Sequence, residues 1–376
     1  MRIYVSFLSL LFSLLLISCG GKQGKPAGNV VSFESIRHAS GFTVTAYNGY
    51  TIAEVVNPWD SAKVLQRYIL LNKGQDIPKD IPQGTIIRLP LKNIVVYSAV
   101  HIAMIEELGE LQRVIGVCEA EYMNSAYIKQ GVAAGTITDL GQAVSPNIEK
   151  IIDINAELVI ASPFQHTGYG GVEKLGIPIV EGADYMESSP LGRAEWIRFF
   201  GLLFDKVELA DSLFRVTENR YNELKALTTE VSHKPTVLAE KRYGSTWFLP
   251  AGDSYMARLY SDAGANYIYK DTPGTGSLSM SFESVLDQAI IHADIWLIKY
   301  HDTKNITYRD LRREYAPYEN FDAFKKRKIF GSNSAKVPYY EETPIHPEYL
   351  LEDLVKIFHP GLLPDKNLRY YHELGE

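Results

Sequence analysis

Between Leu191 and Glu230 the chain contains no proline and two glycines, Gly192 and Gly201. Trp196, Phe199, Phe200, Leu203, Val207, Ala210, Leu213 and Phe214 recur there at helical spacing, and Leu224 and Leu227 continue the stripe. As one straight helix the segment would measure about 60 Å at 1.5 Å per residue. That is longer than one small lobe requires. The segment therefore reads as a rigid strut, over 191–232, joining two separately folded lobes.

The sequence on either side supports that division. From Asn93 onward, short apolar runs alternate with helical patterns: Ile94–Tyr97, Val114–Val117, Leu158–Ala161 and Ile177–Val180 read as strands, with helical spacing at His101–Leu108, Ile148–Ile154 and Val172–Leu175. After the strut the rhythm resumes with strands at Pro235–Ala239, Ile295–Ile298 and Lys328–Phe330. Helices are expected at Ser254–Ala263, Phe282–Ala289, Phe321–Lys326 and Pro347–Phe358. Strands alternating with helices imply parallel sheets covered on both faces. The expected fold class is α/β: two α/β lobes with mostly parallel sheets, at 93–190 and 233–376, joined by one long helix. Ahead of them, 30–92 holds alternating strand patterns at Phe42–Tyr47 and Thr85–Leu89 with turn residues between, which predicts a small β-rich N-terminal extension.

The N-terminus predicts export. Met1-Arg2 is followed by an apolar run of about fifteen residues, too short for the roughly 20 that span a bilayer and suited to a secretory signal. It ends in Leu16-Ile17-Ser18-Cys19-Gly20, which resembles the bacterial lipobox. The expectation is a signal peptide over 1–18, lipid on Cys19, and a flexible Gly/Lys-rich tether over 19–29. With Cys19 lipidated, the other cysteine, Cys118, has no partner within the chain, so the body must rely on its core. The net charge of −7 gives no nucleic-acid footprint.

Two matching landmarks occur, one per lobe. Ser145-Pro-Asn-Ile-Glu149 and Ser281-Phe-Glu283 each place an acidic residue in the first turn of a helix after a polar cap. Capping and helix-dipole compensation account for each alone; together they are two separated negative knobs. In two-lobed α/β chains a ligand meets the loops after the strands. Those loops are rich in aromatics: Tyr97, Tyr122, Phe164, Tyr169, Tyr243, Trp247, Tyr339 and Tyr340, rings suited to a broad planar ligand. Arg242 opens one second-lobe loop and suits a carboxylate or catecholate. His101, His166 and Glu121 are candidates for a zinc or manganese ion, without a defined ligand set. There is no Gly-x-Ser-x-Gly elbow, no phosphate loop ending in Lys-Ser/Thr and no His-Glu-x-x-His. The chain is therefore read as a non-enzyme. A tetrapyrrole metal chelatase using His101 stays open as the enzymatic alternative.

From Asn93 to Leu374 the order of blocks resembles the periplasmic substrate-binding proteins of ABC importers for vitamin B12, iron-siderophores and heme. The resemblance rests on Val95-Val-Tyr-Ser-Ala-Val-His101, Asn147-Ile-Glu-Lys-Ile151 followed by Ala156-Glu-Leu-Val-Ile-Ala161, and Leu175-Gly-Ile-Pro-Ile-Val180. Gly192-Arg-Ala-Glu-Trp196, Asp262-Ala-Gly-Ala-Asn-Tyr267, Ala293-Asp-Ile-Trp296 and His359-Pro-Gly361 resemble a lipoprotein subgroup of that family. The resemblance implies the class III layout, with ligand in the interlobe cleft and a small closing motion. It implies no intrinsic cofactor, an iron or cobalt chelate as ligand, and Glu149 and Glu283 as docking points for the permease. It further implies a monomer held by its lipid anchor, facing the periplasm.

Overall fold

The computed structural model describes residues 36–289 and 293–376. The expected signal peptide, tether and Cys19 lie outside the described residues.

The segment ahead of the first lobe is a four-stranded sheet of β1 (Phe42–Tyr47), β2 (Tyr50–Val56), β3 (Val64–Asn72) and β4 (Thr85–Leu89), in that spatial order. β1, β2 and β3 pair antiparallel and β4 joins β3 in parallel. Phe42, Val55, Tyr68 and Ile87 join the first-lobe core, and two carboxylates add a polar attachment. Glu195 accepts hydrogen bonds from the backbone N–H groups of Arg37, His38 and Ala39, and Glu187 accepts from those of Ser40 and Gly41. Both carboxylates are buried, and such groups persist only where donors surround them.

The first lobe contains β5 (Ile94–Val96), α1 (Ala99–Glu107), β6 (Val114–Val117), α2 (Ala126–Ala134), β7 (Thr138–Asp139), α3 (Ile148–Asp153), β8 (Leu158–Ala161) and β9 (Ile179–Glu181). Its sheet runs β7-β6-β5-β8-β9 and every pairing is parallel. β5 and β8 are buried at every position, the mark of central strands covered on both faces.

The proline-free stretch is two helices rather than one over 191–232: α4 (Pro190–Leu203) and α5 (Val207–Leu227). They meet at Phe204–Lys206, where Asp205 adopts φ 57°, a left-handed conformation that aspartate tolerates better than most residues. The helices then fold back on each other. A Cβ at Gly201 would lie 2.6 Å from Cβ of Ala210, so the close approach needs glycine there. Arg198 of α4 pairs with Asp211 of α5 across the same contact. α5 makes the connection between lobes. Ala210 and Phe214 pack in the first-lobe core, while Tyr221 and Leu224 pack in the second. Its 21 residues reach about 30 Å.

The second lobe follows with β10 (Thr236–Ala239), β11 (Arg242–Tyr243), β12 (Thr246–Pro250), α6 (Tyr255–Asp262), β13 (Asn266–Tyr267), β14 (Ser277–Ser281) and α7 (Phe282–Ala289). It continues with β15 (Ile295–Tyr300), α8 (Tyr308–Glu314), α9 (Asp322–Lys325), β16 (Ile329–Asn333), α10 (Tyr339–Glu342), α11 (Pro347–Phe358) and β17 (His372–Glu373). The main sheet, β13-β10-β15-β16-β17, is parallel except for β17. A second small antiparallel sheet, β11-β12-β14, stands beside it. The lobes also touch directly. Glu341 of α10 accepts from the Asn124 N–H at 2.6 Å, and His346 bridges to Glu107 of α1 at 3.2 Å.

Candidate functional site

The loops at the C-terminal ends of both parallel sheets face one cleft. On the first-lobe wall a cavity of ≈ 280 Å³ lies among Tyr97, Cys118, Tyr122, Met123, Phe164 and Tyr169. On the second-lobe wall one of ≈ 740 Å³ lies among Arg193, Lys241, Arg242, Tyr243, Phe248, Lys299 and Tyr300. A groove of ≈ 610 Å³ bridges them, sharing Tyr122 with the first and Tyr300, His301 and Tyr340 with the second.

Both walls share a backbone device. Glu119 follows β6 and Cys118 at φ 53°, and Glu240 follows β10 at φ 60°. Left-handed backbone costs a non-glycine residue roughly 1–2 kcal/mol. Each turns the chain off its strand into a loop that lines the cleft, carrying Tyr122 on one wall and Arg242 on the other.

The first wall is apolar with isolated polar atoms. Tyr122 and Phe164 present rings that are 62% and 56% exposed. Tyr169 is half-buried and donates its hydroxyl to Glu181 at 3.0 Å. Tyr97 is buried, yet its hydroxyl has no hydrogen-bond partner among the described residues; such an orphan costs about 1–3 kcal/mol. Burial raises its pKa, with Cys118 adding to the shift. Burial likewise pushes the Cys118 thiol up to about 12, with Glu119 and Asp139 contributing. The thiol is therefore protonated and unreactive at neutral pH.

The second wall is cationic. Lys241 is paired with Glu314 at 2.7 Å, and part-buried Lys299 is paired with Glu240. Burial alone would lower the Lys299 pKa, but the Glu240 carboxylate outweighs it and holds the amine charged. Arg242 has no carboxylate partner among the described residues; its guanidinium lies 3.8 Å from the centre of the Tyr315 ring. Tyr243 and Tyr340 are 82% and 59% exposed.

Two expected cleft residues are elsewhere. His101 lies within α1, fully buried, with Nε2 2.9 Å from Asp184 and its ring 5.2 Å from Phe200. The helix starts at Ala99, so the loop assumed to reach residue 101 is only two residues long. Trp247 is fully buried and donates to the Ala239 carbonyl at 3.0 Å. Strand alternation along β12 turns Trp247 and Leu249 inward and Phe248 into the cleft. Tyr339 lines the bridging groove but is buried against Tyr370 and Tyr371, whereas Tyr340 offers its ring. Arg193 and Lys299 line the cleft without having been expected there.

Glu149 and Glu283 are exposed in the first turns of α3 and α7. Asn147 caps α3 by accepting from the Lys150 N–H, and Ser281 accepts from the Ser284 N–H, so neither glutamate is needed as the cap. His101, His166 and Glu121 do not form a metal site: among the described residues no group of three or more His, Cys, Asp or Glu side chains is placed to hold an ion.

Residues 94–335 match the family model described as periplasmic binding protein. The chain belongs to the periplasmic binding protein family. A lipoprotein of Methanocaldococcus jannaschii is 27% identical over 346 residues, covering 84% of this chain and 80% of its own. The periplasmic heme-binding protein RhuT from Roseiflexus, in apo form, superposes with a TM-score of 0.57 at 18% identity, covering 72% of this chain and 99% of that one. A protein of an ABC-type Fe3+-hydroxamate transport system from Saccharomonospora viridis gives 0.55 at 19%, covering 72% and 94%. The two-lobed class III fold is thus that of this family. The family match begins at residue 94, after β4, so the N-terminal sheet lies outside the matched region.

Proposed function

We propose that this chain is a membrane-anchored substrate-binding protein of an ABC importer. It holds a metal chelate, a corrinoid or an iron-siderophore or a heme, between its lobes and delivers it to the permease. The observation that carries the reading is the pair of opposed cleft walls, with exposed rings of Tyr122 and Phe164 on one and of Tyr243 and Tyr340 on the other. Rings left in water at a concave surface gain most by covering an apolar, planar partner. Tyr97 offers an unpaired hydroxyl within the first wall, and Arg242 offers a cation to an acidic edge of the ligand. Glu149 and Glu283, exposed on separate lobes and free of capping duty, suit cationic sites on a permease. Lipid on Cys19 keeps the binder beside that permease, facing the periplasm.

The test is calorimetric titration of the protein with cyanocobalamin, a ferric trihydroxamate, a ferric tris-catecholate and hemin. Saturable binding of at least one, weakened ten-fold or more in a Tyr122→Ala/Tyr340→Ala double variant, is expected. Absence of binding by all four would sink the reading.

A further inference from the structure

Arg193 enters the cleft from the hinge region, one turn into α4, and lines the second-lobe wall beside Tyr255 and Lys299. Its side chain is 19% exposed. Only Nε is engaged: it donates to Oδ2 of Asp184 at 3.3 Å, and neither terminal amino group has a hydrogen-bond partner among the described residues. The guanidinium carbon lies 5.7 Å from the centre of the Tyr255 ring. A guanidinium anchored through Nε keeps its two-pronged fork free for a planar anionic oxygen pair.

The anchor is built, not incidental. Asp184 is buried, and its other oxygen lies 2.9 Å from Nε2 of His101, itself buried in α1. Nδ1 of His101 is buried without a partner, so the tautomer with hydrogen on Nε2 satisfies Asp184 and leaves no buried donor idle. Gly182 makes room for that ring: a Cβ there would lie 2.4 Å from Nε2. Burial alone would raise the Asp184 pKa, but His101 and Arg193 outweigh it, so the carboxylate stays charged. The chain His101–Asp184–Arg193 thus runs from the first-lobe core to the cleft floor.

We infer that Arg193 is an anion-binding group at the floor of the cleft, that Asp184 held by His101 is its positioning residue, and that the ligand carries a carboxylate or catecholate which the Arg193 fork receives. The inference rests on the proposed chelate-binding function and narrows it to chelates with an anionic periphery. Arg242 and Arg193, both lining the larger cavity, then grip the ligand together, one from a lobe loop and one from α4.

The test compares matched probes: hemin with its dimethyl ester, and a ferric tris-catecholate with a neutral ferric trihydroxamate. Wild-type protein is expected to bind an anionic probe at least ten-fold tighter than its neutral counterpart. Arg193→Gln should lose ten-fold or more for the anionic probe and less than two-fold for the neutral one. Arg193→Lys, which keeps charge but not the fork, should fall between. Because Arg193→Gln leaves the buried Asp184 without its cationic partner and with His101 alone, Arg193→Gln/Asp184→Asn serves as the second variant; it should show the same selective loss with a native near-ultraviolet dichroism spectrum. Equal binding of anionic and neutral probes by wild type overturns the inference while leaving the proposed function intact. So does unchanged anionic affinity in both variants. Failure of wild type to bind any probe, or cyanocobalamin, overturns both.

Discussion

Neighbouring residues on one strand divide the labour between stability and recognition. Trp247 is sealed in an aromatic cluster with Phe282, Trp296, Tyr318 and Phe321, whereas Phe248 is 45% exposed and lines the cleft. Trp247→Ala should cost about 3–5 kcal/mol of unfolding free energy, read by chemical denaturation. Phe248→Ala should cost less than about 1 kcal/mol and weaken chelate binding instead. The reverse ranking would mean that the inward and outward faces of β12 are misassigned. Residue choice alone does not separate the two: both are aromatic and adjacent, and only the pairing of β12 with β14 decides which faces in. His101 shows the same limit. Its side chain is a plausible ligand by type, but its place inside α1 turns it toward Asp184, and that partner is 83 positions away in the chain. The Gly192–Trp196 block shows what such a block encodes. Gly192 clears the His38 carbonyl, which a Cβ would approach to 2.6 Å; Arg193 reaches the cleft; Glu195 holds the backbone of 37–39; Trp196 donates to Glu187.

At the scale of elements, strands and helices with strong periodicity fall close to their expected places; β1 and β4 match residue for residue. The helical hairpin was hidden because its turn uses Asp205 and no proline, leaving the apolar stripe unbroken across it. The short sheet β11-β12-β14 was hidden because two- to five-residue strands carry too little alternation to register. Where α1 meets the start of α11, His346 donates to Glu107 at 3.2 Å and to Glu348 at 3.0 Å and stacks on Tyr349. Burial alone would lower its pKa, but the two carboxylates raise it from 6.5 to about 9. The folded value lies above the unfolded one, so the stabilisation is fully present below pH 6.5 and is lost as pH rises through about 9. The shift corresponds to roughly 3 kcal/mol. Glu107 is depressed by the same contact, so that interaction also weakens in acid, as pH falls below the ordinary carboxylate value. Wild-type protein should lose stability to urea between pH 6.5 and 9.5 relative to His346→Gln, and parallel profiles would refute an interlobe ion pair at this place.

At the scale of the molecule, the two lobes and their junction follow from the rhythm of the chain, because parallel sheets need helical crossovers and these leave a periodic trace. The cleft is less legible, since its walls come from segments of both lobes that come together only after both have folded. In the proposed function, delivery rests on the exposed glutamates of α3 and α7, which do not line the cleft. Reversing charge at both Glu149 and Glu283 should abolish uptake in vesicles reconstituted with the permease while leaving chelate affinity within two-fold; retained uptake would remove these residues from docking. Cys19→Ala should release the protein from membranes into the soluble fraction, and continued sedimentation with membranes would contradict anchoring through that residue. The most direct measurement of the central claim is anomalous diffraction, at the metal's absorption edge, from crystals of the protein grown with the chelate that binds it. The account predicts a single strong peak between the lobes, with Tyr122 and Phe164 on one side and Arg242 and Tyr340 on the other. A peak outside the cleft, or none at full occupancy in solution, would contradict it.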